Sequence, residues 1–131
     1  MHGIDETLKF KSINIAILTV SDTRTAETDT SGDLLQDRVE ASGHKCVDRH
    51  IIKDERSKIA AQVEAWAANA EIDAVITTGG TGLTKRDVTP EAVRPLFDKE
   101  LEGFSVIYHQ ESYKSVGVST LQSRALAGLS N

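Results

Sequence analysis

The stretch INIAILTVS, residues 13–21, limits the possible folds of this 131-residue chain more than any other segment. It is almost uninterruptedly apolar and rich in β-branched side chains. A strand with one solvent-exposed face would alternate polar and apolar residues. An unbroken apolar run is instead typical of a strand that is covered on both faces, as in a parallel sheet. The sequence therefore predicts an α/β protein with helices on both sides of its sheet.

After the first strand, the sequence predicts helices and strands in alternation. A helix is predicted over residues 31–42, with Leu34, Leu35 and Val39 at helical spacing and Gly43 ending it. A weaker strand pattern covers residues 45–52. The next helix has Ser57 as its cap and buries a face that includes Ile59 and Trp66. Parallel strands joined by helices form a sheet wrapped on both faces.

The third predicted strand, residues 73–78, runs directly into a glycine-rich segment. Beyond it, Thr89, Pro90 and Glu91 have the pattern of an N-cap, a first helical residue and a first-turn acid. From residue 101 onward the pattern is helical but interrupted at Gly103 and Gly117. Ser119 and Gln122 have capping-box spacing, which predicts a last helix ending near residue 128.

Length and composition indicate a single domain over residues 1–131. The 39% hydrophobic and 27% charged content is ordinary for a globular protein, and no apolar run is long enough to span a bilayer. The N-terminal stretch MHGIDETLKFKS lacks the apolar segment of a signal peptide, so we expect a cytoplasmic location. The net charge of −5 opposes nucleic-acid binding.

Cysteine and histidine give little indication of a metal site. Cys46 is the single cysteine, which we interpret as a core or half-buried thiol. His2, His44, His50 and His109 are scattered without the spacing of metal ligands, so no metal is assigned to them.

The stretch TTGGTGLTKRDVTPEAV, residues 77–93, holds the strongest functional pattern. It lacks the glycine before Lys-Ser/Thr of a Walker loop, and Lys85 occupies the third glycine position of the dinucleotide fingerprint. A glycine loop between strand and helix can still hold an anion through backbone amides, with Lys85 and Arg86 adding charge. The alternative is a tight turn with two solvated cations.

Acidic residues accompany this loop at the predicted sheet edge. Asp22 and Asp54 follow the first two strands, and Asp87 lies in the glycine-rich segment. Carboxylates beside a phosphate repel it unless a divalent cation bridges them, so a magnesium nucleotide would reconcile the acids with the anion site. Each acid also has a plain structural interpretation, as a turn former, a solvated side chain or a partner of the coming helix start.

Together with LTVSD at 18–22, IIKDE at 51–55 and SRALAGL at 123–129, the glycine-rich stretch resembles the MoaB/Mog family of molybdenum cofactor biosynthesis. The resemblance extends over nearly the whole chain, in order. It implies a three-layer αβα sandwich with a mostly parallel sheet that binds molybdopterin, in cytoplasmic homotrimers or homohexamers. In active members, the molybdopterin phosphate attacks the α-phosphorus of Mg-ATP, giving adenylyl-molybdopterin and pyrophosphate.

The resemblance also implies site roles by motif position. Asp54 and Asp87 match the acids that serve the Mg²⁺ ion and the nucleotide. A larger set matches the binding of substrate and its phosphates: Ser21, Asp22, Gly79, Gly80, Thr81, Gly82 and Thr89. The region 111–123 resembles family helices that line the pocket or meet a neighbouring subunit.

Two further expectations follow from the family pattern. Family members continue past the AGL stretch into a strand, a Pro-Gly-Ser turn and a final helix, which this sequence does not include, so we expect an incomplete pocket and an exposed sheet edge. Besides adenylyl transfer, two functions stay open: molybdopterin binding without chemistry, and hydrolysis of a nucleotide pyrophosphate on the same metal platform.

Overall fold

The computed structural model describes residues 7–131 of the chain. Residues 1–6, which include His2 and half of the stretch interpreted as lacking a signal peptide, lie outside the described residues. The strands are β1 (Asn14–Val20), β2 (Lys45–Ile52), β3 (Ala74–Thr78), β4 (Lys99–Glu100) and β5 (Gly128–Leu129). The helices are α1 (Thr30–Ala41), α2 (Arg56–Ala67), α3 (Thr89–Val93) and α4 (Glu102–Val116), with 3₁₀ helices at Arg94–Leu96 and Gly117–Gln122.

The main sheet has the strand order β2-β1-β3, and both pairings are parallel. The chain therefore moves to one side of β1 through α1 and to the other side through α2. This reversal creates a switch point at the carboxyl end of β1, which is where ligands bind in open α/β sheets. A separate antiparallel pair joins β4 to β5.

Strand β1 is the centre of two hydrophobic cores. Ala16, Leu18 and Val20 pack with residues of α2 and α3 on one face, while Ile15 and Ile17 pack with α1 on the other. The predicted αβα arrangement with a mostly parallel sheet is confirmed. Trp66 is only 4% exposed, as a core residue should be.

The ends of several helices differ from the sequence predictions. Helix α2 begins at Arg56 with Glu55 at the N-cap position, so Ser57 is not the cap. In α3 the N-cap position is Val88, and Thr89 is already helical. On α1, Leu34 points outward and is 54% exposed, while Val39 is buried. The two observed N-cap positions thus lie two residues before Ser57 and one residue before Thr89.

The C-terminal third departs most from prediction. Gly103 lies inside α4 rather than interrupting it, whereas Gly117, with φ of 63°, does end that helix. The capping-box helix is absent from the described residues: Gly117–Gln122 is a 3₁₀ helix, and the chain then runs extended into β5. Ser119 donates its hydroxyl hydrogen bond back to the Val116 carbonyl, which a capping residue would not do.

An ion pair between the buried Asp29 and the partly exposed Arg49 fixes the start of α1 to the sheet. The carboxylate of Asp29 is only 1% exposed; it accepts hydrogen bonds from the Gly32 amide, the Thr19 hydroxyl and Arg49. Burial raises the pKa of Asp29, but these three donors outweigh it and hold the pKa below the ordinary aspartate value.

We expect Asp29→Ala to lower the free energy of unfolding by about 2–4 kcal/mol, because it removes an N-cap and leaves buried donors unpaired. Asp33→Ala is the matched control: Asp33 contacts the same Arg49 but is 58% exposed, so its loss should change stability by less than about 1 kcal/mol. Urea denaturation of both variants at pH 7 measures the difference. Equal losses of unfolding free energy in the two variants would contradict the stabilising role given to the buried Asp29 carboxylate.

The same network predicts a pH dependence of stability. Because the folded pKa of Asp29 is depressed, its contribution is fully present above its unfolded pKa, near 3.8, and is lost as the pH falls through the folded value. The stability gap between the wild type and Asp29→Ala should therefore narrow as the pH falls below about 4. Denaturation midpoints measured from pH 7 down to pH 3 test this narrowing.

Candidate functional site at the carboxyl edge of the sheet

The carboxyl ends of β1, β2 and β3 bring the three predicted acids to one edge. The Asp54 backbone amide donates to Asp22 Oδ1 at 3.1 Å. The Arg86 guanidinium donates to both oxygens of Asp22, at 3.0 and 2.7 Å, which joins the glycine-rich segment to the end of β1. The predicted meeting of these three segments is thus found in the structure.

Gly79 and Gly80 allow the chain to turn sharply at the end of β3. Their φ angles are +94° and +68°, a region that side-chain-bearing residues rarely adopt. A Cβ at Gly79 would collide with the Val20 carbonyl, and one at Gly80 would collide with the Thr89 hydroxyl. Both positions therefore require glycine, because the packing of Val20 and Thr89 against the turn leaves no room for a side chain.

The carboxylates of Asp54 and Asp87 both lie against this glycine backbone. Asp54 Oδ1 is 3.1 Å from where a Cβ on Gly80 would lie, and Asp87 Oδ2 is 2.7 Å from the corresponding point on Gly82. A larger residue at either position would displace a carboxylate. The glycines and the two acids thus form one contiguous surface.

The two carboxylates have opposite electrostatic settings. Burial, followed by the negative charges of Asp22 and Asp87, raises the pKa of Asp54 above its ordinary value. The hydroxyl and amide of Thr84, at 2.7 and 3.0 Å, lower the pKa of Asp87. Asp87 is therefore a fixed, ionised carboxylate, while Asp54 lies in an excess of negative charge that would favour a cation.

The remaining predicted residues have structural contacts in addition to any ligand role. Thr89 is fully buried; its hydroxyl donates to the Gly79 carbonyl at 2.8 Å and its amide to the Gly80 carbonyl at 3.0 Å. Ser21 Oγ accepts from the amides of Thr23 and Arg24. Thr89 therefore holds the glycine turn in place.

Of the two cations expected to contact phosphate, Arg86 is paired with Asp22 and Lys85 is exposed. Lys85 lines a cavity of about 260 Å³ beside Asp87, together with Leu83, Thr84, Val88, Glu91 and Arg124. A larger cavity of about 640 Å³ lies between α4 and the 3₁₀ helix after it. Glu111, Tyr113, Lys114 and Thr120 of the 111–123 region line the larger cavity, whereas none of the residues assigned to the metal or the phosphates does.

One arginine that the sequence prediction missed makes the densest set of contacts at the site. Arg124 donates from its side chain to the carbonyls of Gly82 and Asp87 and to both oxygens of Glu91. It lies in the SRALAGL stretch, more than 30 positions from all three partners, so no local pattern links it to them. Only the tertiary structure reveals this contact.

The side chains at the site do not by themselves provide a full set of metal ligands. Within residues 7–131, His, Cys, Asp and Glu side chains form no group of three or more that could hold a metal ion by themselves. Mg²⁺ typically uses one or two carboxylates with substrate phosphates and water. The pair of carboxylates beside a glycine loop is compatible with that mode.

Within residues 7–131, no helix is long and apolar enough to cross a bilayer.

Comparison with known proteins agrees with this α/β fold and glycine-loop edge. A family described as "Probable molybdopterin binding domain" matches residues 16–130. Molybdenum cofactor biosynthesis protein B of Escherichia coli K12 is 50% identical over 123 residues, covering 94% of this chain and 72% of that protein. The Bacillus cereus protein of the same name is 45% identical, with 90% and 70% covered. The chain belongs to this family of molybdenum cofactor biosynthesis proteins.

Solved structures give the same result. A crystal structure of molybdenum cofactor biosynthesis protein B superposes with a TM-score of 0.87 at 45% identity, covering 91% of this chain and 74% of that one. The structure titled tungsten cofactor synthesizing protein MoaB from Pyrococcus furiosus superposes with a TM-score of 0.79 at 35% identity, with 94% and 76% covered. The family resemblance predicted from the sequence is confirmed.

Proposed function

We propose that residues 1–131 act as one molybdopterin-binding domain that adenylylates molybdopterin with Mg-ATP and releases pyrophosphate. The observation that carries the proposal is the placement of Asp54 and Asp87 against the glycine backbone at the switch point of the sheet. A phosphate-accepting backbone beside two carboxylates suits a magnesium nucleotide better than a free anion, which the carboxylates would repel. The family's association with molybdopterin supplies the second substrate.

The proposed reaction forms one P–O bond and breaks another. An oxygen of the molybdopterin phosphate attacks the α-phosphorus of ATP, the bond from the α-phosphorus to the bridging oxygen breaks, and pyrophosphate leaves with that electron pair. Enzymes accelerate such transfers mainly by positioning the two reactants and by neutralising the charge of the phosphates. We assign the loop that holds the phosphates to Gly79, Gly80, Thr81 and Gly82, with the Gly82 amide also donating to the Asp87 carboxylate, and further polar contacts to Ser21 and Asp22.

Asp54 and Asp87 would hold the Mg²⁺ ion that accompanies ATP. Burial is the main cause of the raised pKa of Asp54, and the neighbouring charges of Asp22 and Asp87 add to it; that local excess of negative charge supports the assignment. When bound, the ion neutralises phosphate charge. Thr84 fixes the orientation of Asp87, and the buried Thr89 hydroxyl keeps Gly79 in place beneath the ligand.

A non-catalytic role is the second candidate, and one observation favours it. Arg86 of the loop is held on Asp22 by two hydrogen bonds, so its positive charge is already paired with a carboxylate before any phosphate arrives. A protein with this arrangement could bind molybdopterin as a scaffold for the pathway without transferring the adenylyl group.

We further propose that the chain works as a homotrimer or homohexamer in the cytoplasm, where ATP is supplied. Helix α4 has 15 residues and none of them is buried. Its outward side chains include Val106, Ile107 and Tyr113, each more than half exposed. An apolar surface of this kind is typical of a subunit interface. Light scattering should give three or six times the chain mass, and a monomer at micromolar concentration would contradict the proposal.

Pyrophosphate release separates the candidates. Purified protein is mixed with Mg-ATP, with and without molybdopterin, and molybdopterin binding is measured in parallel. Release that needs both substrates supports adenylyl transfer. Binding without release supports the scaffold role, and ATP consumption in the absence of molybdopterin indicates hydrolysis of the nucleotide pyrophosphate. EDTA should abolish release if Mg²⁺ takes part.

A further inference from the structure

Arg124 is the residue that connects the most parts of the candidate site. Its backbone amide donates to the Thr81 carbonyl at 2.9 Å. Its side chain donates through Nε to the Gly82 carbonyl at 3.1 Å and through Nη2 to the Asp87 carbonyl at 2.8 Å. One residue thus contacts both ends of the 81–87 loop.

The same guanidinium also fixes helix α3 relative to the loop. Its Nη1 donates to both carboxylate oxygens of Glu91, at 2.9 and 2.6 Å. The pKa of Glu91 is lowered mainly by this contact, so the pair is ionised at neutral pH. The planar fork of arginine can serve several acceptors in fixed directions, which the single ammonium of lysine cannot do.

The direction of these contacts matters for anion binding. In a planar trans peptide the N–H group points away from the preceding carbonyl. When the carbonyls of Thr81, Gly82 and Asp87 turn toward Arg124, the amides of the next residues, Gly82, Leu83 and Val88, turn away from it. The Gly82 amide donates to the Asp87 carboxylate, which fixes that acid against the loop. These three carbonyl oxygens, which would repel a phosphate, therefore point toward Arg124 and not toward the opposite face of the loop, where we place the nucleotide phosphates.

We infer that Arg124 is a positioning residue for the proposed adenylyl transfer: it holds the glycine loop and Asp87 in the geometry that receives the nucleotide phosphates, without contacting them. The inference rests on the proposed function for its kinetic consequence. Its structural consequence, an ordered 79–88 loop, is measurable without any substrate.

The test compares Arg124→Lys and Arg124→Gln with the wild type. Arg94→Lys is the matched control, since Arg94 pairs with Glu100 on the surface, away from the loop. Amide hydrogen exchange of residues 79–88 and of β1 is measured first, with the thermal midpoint of each variant. Steady-state pyrophosphate release then gives kcat and the KM for Mg-ATP.

We expect loop amides in Arg124→Lys to exchange at least about tenfold faster, with β1 unchanged and the protein still folded. The kcat should fall by about 10- to 100-fold, while the KM changes by less than about threefold, because misplaced groups lose transition-state contacts more than ground-state binding. Arg94→Lys should match the wild type in all readouts. Should Arg124→Gln not fold, the lysine variant decides the result.

Wild-type loop exchange in Arg124→Lys would overturn the inference, as would faster exchange with an unchanged kcat. A fall in kcat that only follows the unfolded fraction would also overturn it, because a purely structural residue gives that result. If the wild type releases no pyrophosphate, the proposed function fails, and the exchange measurement alone decides whether Arg124 orders the loop.

Discussion

Asp54→Asn should reduce molybdopterin-dependent pyrophosphate release by about 100- to 1000-fold while leaving the protein folded. The size of the loss is that expected when a charge that stabilises a transition state is removed from a preorganised site. The fold should survive because the setting of Asp54 disfavours its charged form: burial and two neighbouring carboxylates raise its pKa. The neutral amide relieves that repulsion, so the thermal midpoint should stay equal or rise slightly.

Asp98→Asn is a suitable control for this experiment. Asp98 is an exposed acid beside the β4–β5 pair, where it accepts a hydrogen bond from the Asn131 amide. It should retain wild-type release. Full activity in Asp54→Asn would show that the Asp54 carboxylate does not serve the reaction, whatever the stability of the variant.

Gly79→Ala should lower the free energy of unfolding by roughly 3 kcal/mol or more, equivalent to about 10 °C in thermal midpoint. Its φ of +94° is strained for alanine, and the added Cβ would collide with the Val20 carbonyl in the central strand. Differential scanning calorimetry measures the loss. Pyrophosphate release should fall together with stability, because the turn at Gly79 positions the start of the glycine-rich loop.

Gly103→Ala provides the matched glycine control for that variant. Gly103 lies in the first turn of α4, and a Cβ there meets nothing within 4 Å. Alanine should therefore be neutral or stabilising by up to about 1 kcal/mol. A neutral Gly79→Ala would contradict the tight junction of β3 and β1 described above.

The sheet could be predicted closely because its strands carry their own signal. Strand β1 is apolar on both faces, and its predicted span differs from the observed one by a single residue at each end. Strand β2 agrees at both ends. The position of the acids followed from the strands, since parallel strands share a carboxyl edge.

Long-range contacts account for what the sequence could not give. Thr89 has the residue type and position of an N-cap, yet its hydroxyl bonds the Gly79 carbonyl ten residues earlier, a partner that no local pattern specifies. Arg124 is recognisable only when the extended segment after α4 returns to the loop. The Ser119 capping box failed because the chain there continues into a 3₁₀ turn and β5, whose pairing with β4 is non-local.

The most direct test of adenylyl transfer follows the α-phosphate itself. Wild-type protein is mixed with molybdopterin, Mg²⁺ and ATP labelled with ³²P at the α-position, and the products are separated after a single turnover. The proposal predicts that the label moves to molybdopterin in equal amount with released pyrophosphate. Label that stays in ATP, or appears only in free AMP, while molybdopterin is bound would contradict it.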